Sequence, residues 1–131
     1  MRNQFFITLI IVGLNSYAQQ NKCSQFKTGK FEFSEPKYAE WQVTRTDSTQ
    51  IELNTKTGLE IYNSVKWVND CEYLLTCDKV VNPTSANIVG EVYHVKMTEV
   101  YSNRYTCIAV SKNDDITLNL MMIKVETFTN Q

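Results

Sequence analysis

The chain has 131 residues, 43% of them hydrophobic, and a formal charge of −1 from 13 basic and 14 acidic side chains. The two signs are interspersed, so there is no basic stripe to meet the phosphates of a nucleic acid or of an anionic membrane. The length suits one domain with one core.

Residues 1–18 carry a basic residue at Arg2, an apolar run from Phe5 to Val12, and the small residues Ser16 and Ala18 at the −3 and −1 positions. That pattern predicts a secretory signal peptide cleaved after Ala18. The run is far short of the roughly 20 residues that a membrane span needs. Export to a periplasm or to the medium is the expected localisation, with no membrane span left after cleavage. Gln20, Asn21 and Lys22 before Cys23 do not fit a lipoprotein acylation site. Pro83 disqualifies the single Asn-x-Thr triplet, at Asn82, as a glycosylation acceptor.

From Phe26 onward, short runs rich in Val, Ile, Thr, Tyr and Phe alternate with Asn, Asp, Gly and Ser clusters. Eight strands are predicted, over residues 25–34, 40–46, 49–54, 59–68, 71–80, 88–101, 104–111 and 116–127. Asp47-Ser48, Asn69-Asp70 and Ser102-Asn103 suit tight hairpins, because Asn and Asp tolerate the left-handed backbone such turns need. Consecutive strands joined in this way form an antiparallel meander, and closing it into a barrel removes both exposed edges. The fold class is therefore all-β, one β-barrel domain over residues 19–131, with a β-sandwich as the alternative. Cys23, Trp41 and the Tyr105-Thr106-Cys107 triplet imitate immunoglobulin landmarks. Cys23, however, lies too close to the expected cleavage site to leave room for a first strand.

Four cysteines in a short exported chain point to disulfides. On one strand, Cys71 and Cys77 stand roughly 20 Å apart, well beyond the span of about 4.4 to 6.8 Å that a disulfide bridges. They must then pair with Cys23 and Cys107, in either of two connectivities. Cys23–Cys71 with Cys77–Cys107 is preferred, because a lead-in segment at Cys23 is readily stapled to a strand end at Cys71. The spacing is not the C-x-x-C of a redox motif, and no second close pair exists for structural zinc. A two-residue turn at Asn69-Asp70 would set Trp67 opposite Glu72, Lys66 opposite Tyr73 and Val65 opposite Leu74. Neither face of that hairpin is cleanly polar, and the same holds for "LNLMMIKV" near the C-terminus.

In "VTRTDSTQIEL", Arg45, Gln50 and Glu52 flank one turn, where a guanidinium, an amide and a carboxylate could orient a polar head group in a barrel mouth. The competing reading is a solvated cross-strand ion pair. With Trp67 and Tyr73 they make up the candidate ligand-binding set. His94 is the single histidine and is expected on the surface. No G-x-S-x-G elbow accompanies it, and Asp70, Glu72 and Asp78 show no spacing diagnostic of paired-acid hydrolysis. No catalytic residue, metal ligand or cofactor is assigned.

The segments "FKTGKFEF", "TRTDSTQIE" and "VKWVNDCEY", the last carrying Trp67, Asp70, Cys71, Glu72 and Tyr73, resemble small secreted proteins common in Bacteroidetes-type bacteria. That family carries no reaction or ligand with it. A more distant likeness is to the lipocalin and calycin barrels, eight-stranded cups for small apolar molecules. Their Gly-x-Trp signature would fall at Gly29-Lys30-Phe31, with phenylalanine for the tryptophan. The function expected on these grounds is non-catalytic binding of a small apolar or lipid-like ligand. The alternative is a structural module of the cell envelope with a filled barrel and a protein partner.

Overall fold

A computed structural model describes residues 22–82 and 87–129. The expected signal peptide lies outside the described residues. The strands are β1 (Gly29–Phe33), β2 (Trp41–Arg45), β3 (Thr49–Asn54), β4 (Glu60–Asn69), β5 (Glu72–Val81), β6 (Val92–Val100), β7 (Arg104–Ser111) and β8 (Thr117–Val125), with a 3-10 turn at Pro36–Tyr38 between the first two. Each strand pairs antiparallel with its sequence neighbour, and β1 closes on β8 through Lys30 opposite Val125 and Phe33 opposite Met122. This is the closed eight-stranded meander expected of the turn spacing. Among the described residues no helix is long and apolar enough to cross a membrane.

Alternation decides which side chains enter the barrel. On β7, Tyr105, Cys107, Ala109 and Ser111 are buried, while Arg104 and Val110 are exposed. The β4–β5 hairpin departs from the expected two-residue register. Trp67 pairs with Tyr73 and Asn69 with Glu72, so Val68 bulges outward and is 58% exposed. Asn69 Oδ1 accepts the Cys71 N–H at 2.8 Å, an Asx turn that moves the reversal one residue onward. Lys66 consequently faces Leu74, and Val65 faces Leu75. Val65, Trp67, Tyr73, Leu75 and Cys77 thereby share the inner face, which resolves the mixed pattern of this hairpin.

One end of the barrel, formed by the β2–β3, β4–β5 and β6–β7 turns, is plugged by the lead-in segment. Phe26 is fully buried and packs on Tyr105 and Phe31, with ring centroids 5.0 and 6.4 Å away. Cys23 is bonded to Cys71, with 5.2 Å between α-carbons. Lys27 pairs with Asp70 at 2.7 Å and lies over the Trp67 ring, and Trp67 Nε1 donates to the Asp47 carbonyl. Lys124 Nζ donates to the Gln25 carbonyl at 2.6 Å while passing over Gly29. Gly29 adopts φ +133°, a backbone conformation that favours glycine; a Cβ there would stand 2.7 Å from Lys124 Cε, which the flexible lysine chain can relieve by shifting.

The expected Cys77–Cys107 disulfide is absent, and both are buried free thiols. The Cys77 N–H donates to the Glu91 carbonyl, whereas Cys107 pairs with Met97. Residues 91 to 97 span roughly 20 Å of extended chain, too far for a disulfide. Alkylation in denaturant without reductant should therefore add two groups, at Cys77 and Cys107, with neither modified readily in the native state. Replacing Cys23 and Cys71 together by serine should lower stability by about 2–4 kcal/mol, as read from urea unfolding.

Candidate functional site

Above the plug, the barrel encloses a cavity of about 320 Å³. Its wall is largely apolar, with Phe33, Ile61, Leu75, Val95, Leu118 and Leu120 among its residues. Ile88 and Glu91, from the segment leading into β6, lie at the end away from the plug.

The floor is built on Arg45. Its Nε donates to Gln50 Oε1 at 2.8 Å, its Nη1 to the Phe26 carbonyl at 2.8 Å, and its Nη2 to the hydroxyls of Tyr73 and Tyr105 at 3.0 Å each. The guanidinium carbon lies 4.5 Å from the Phe31 ring centroid and 4.9 Å from that of Tyr73. Burial works against its charge, but the neighbouring Tyr105 and Tyr73 outweigh that effect and hold its pKa above the ordinary value. Arg45 therefore stays protonated. Burial pushes both phenols up, and Arg45 pulls them only partly back, so both keep their protons.

The convergence of Arg45, Gln50 and Glu52 expected from the sequence is present, but on the floor of the cavity rather than in its mouth. Nor is it a solvated ion pair, since Arg45 is 2% and Gln50 3% exposed. Gln50 bridges the two charges, its Nε2 donating to Glu52 Oε1 at 3.4 Å. Asn63 Nδ2 donates to Glu52 Oε2 at 3.1 Å and to the Gln50 carbonyl at 3.2 Å. Burial raises the Glu52 pKa, with Asn63, Arg45 and Gln50 offsetting part of the rise.

Of the five candidate residues, Arg45, Gln50, Glu52 and Tyr73 line the cavity. Trp67 does not. Its ring packs at a tilt of 51° against Tyr73 with centroids 4.7 Å apart and belongs to the plugged end. Asn63, Tyr93, Glu91 and the two thiols also line it; their inward direction became legible only once the β4–β5 bulge and the strand register were known. Burial pushes the Cys107 thiol up to about 12 and also raises that of Cys77. Both thus remain neutral thiols, not the thiolates that nucleophilic chemistry requires. His94 lies on the outer face, its Nε2 3.1 Å from Glu72 Oε2, and does not reach the cavity. Among the described residues, no group of three or more His, Cys, Asp or Glu could hold a metal ion.

Replacing Arg45 by alanine strands the Phe26 carbonyl and two phenol oxygens at roughly 1–3 kcal/mol per unsatisfied group. It should cost at least about 3 kcal/mol in urea unfolding. Glu52 gives a pH signature of known sign. Because its folded pKa is raised, its contribution to stability is full below the unfolded carboxyl value and is lost as pH rises through the folded one. The stability of wild type relative to Glu52→Gln should accordingly fall as pH increases across that window, measured by denaturant titrations at a series of pH values.

No family model, no curated protein and no solved structure matches this chain.

Proposed function

We propose that the protein is an exported, non-catalytic carrier that binds a small apolar or lipid-like molecule inside its barrel. The cavity of about 320 Å³ carries this reading. Eight-stranded barrels either fill their interior with side chains or hold one small ligand, and ligand pockets begin at about 300 Å³. An envelope interaction module calls for a filled barrel, so the cavity favours the carrier. The Cys23–Cys71 bond supports an oxidising compartment. The closed eight-stranded meander is the architecture that the distant calycin likeness implies.

Ala109 gives a direct test. It is buried, lines the cavity, and sits between Val95 and Leu118 in the sheet. A neutral, environment-sensitive naphthylamine dye should gain fluorescence with the wild-type protein. Ala109→Phe should fill the space and abolish that gain while leaving the circular dichroism spectrum intact. Equal dye binding by both proteins, or none by the wild type, would overturn the cavity as the binding site.

A further inference from the structure

The polar groups of the cavity differ in what they have left to offer. Arg45 carries five N–H donors, and four of them already serve protein acceptors. A ligand anion would find one N–H left on it, and it would meet the neighbouring Glu52 carboxylate, whose like charge opposes it. Glu52 is in the opposite position. An ionised carboxylate offers about four acceptor sites, and among the described residues Asn63 and Gln50 donate to Glu52.

Two further observations point the same way. Glu91 also lines the cavity, so the wall carries two carboxylates against one guanidinium that is committed to the floor. Glu35, just past the β1 strand whose Phe33 lines the wall, has a buried carboxylate oxygen, Oε2, with no hydrogen-bond partner. Glu35 is not itself part of the cavity lining. The open acceptor capacity of the cavity lining thus lies on the carboxylates of Glu52 and Glu91, and the rings of Tyr93 and Phe33 line the same space.

Building on the cavity-binding proposal above, we infer that the ligand is an organic cation, an apolar body ending in a protonated amine. Its ammonium group sits at Glu52, and its body lies along Leu75, Val95, Leu118 and Leu120. The cavity volume corresponds to about ten waters of liquid, enough for a chain the size of octylamine.

Three probes of equal chain length separate the head groups: octylamine, octanol and octanoate, each titrated calorimetrically into the disulfide-intact protein. Octylamine should bind at least about tenfold tighter than either of the others. Glu52→Gln should remove that advantage while leaving octanol affinity within about twofold, which also shows that the cavity is intact in the variant. If octanoate binds best, or octanol matches octylamine, the cationic assignment fails and the cavity stands. An octylamine preference that survives Glu52→Gln would overturn the placement at Glu52. Binding of none of the three would overturn the cavity reading as well. Should the variant not fold, the wild-type rank order alone decides the ligand's charge.

Discussion

The guanidinium of Arg45 is the point on which the closed end of the barrel depends. It draws together the lead-in segment at Phe26, strand β3 at Gln50, β5 at Tyr73 and β7 at Tyr105, groups contributed from around the whole circumference. A buried cation is costly unless its hydrogen bonds are met, and here the acceptors it touches are neutral. Aromatic rings packed around it return part of the electrostatic cost, most closely those of Phe31 and Tyr73. The polar cluster therefore fixes geometry at one end, while the apolar wall above it is free to vary in what it accommodates.

The Cys23–Cys71 bond is the covalent counterpart of that cluster. Arg45 holds the lead-in segment from inside the barrel, through Phe26, and the disulfide holds it from the β4–β5 turn. Lys27 with Asp70 and Lys124 with the Gln25 carbonyl add contacts on either side. The plugged end thus has its ion pair, its disulfide and the hydrogen bond of Arg45 to the lead-in segment made within the protein.

The strand order and closure were legible because inward and outward residues alternate and the turn residues are local signals. The Val68 bulge was not, since it follows from an Asx turn at Asn69 whose partner, the Cys71 amide, is chosen by geometry rather than by residue type. The disulfide pairing was half legible. Excluding Cys71–Cys77 needed only spacing along one strand, but excluding Cys77–Cys107 required knowing which parts of β6 each lies beside. Arg45, Gln50 and Glu52 could be grouped because they flank one turn. That their cluster is a floor could not be read, because Tyr73, Tyr105 and the Phe26 carbonyl arrive from distant parts of the chain. Trp67 looked like a ligand residue for the same reason: its aromatic surface is visible in the sequence, and the Lys27 and Asp47 partners that use it are not.

The placement of the disulfide also bears on the order in which the chain can assemble. Both of its cysteines lie at or before the β4–β5 turn, so this crosslink encloses β1 to β4 and requires nothing from the second half of the sheet. Closure of the barrel, by contrast, joins β1 to β8 and needs nearly the whole chain. A polypeptide emerging N-terminus first can therefore secure its first four strands early, shortening the search for the late, long-range β1–β8 pairing. During that interval the unpaired edge of β1 waits inside a tethered half-barrel instead of on a free chain, which limits its exposure to pairing with other molecules.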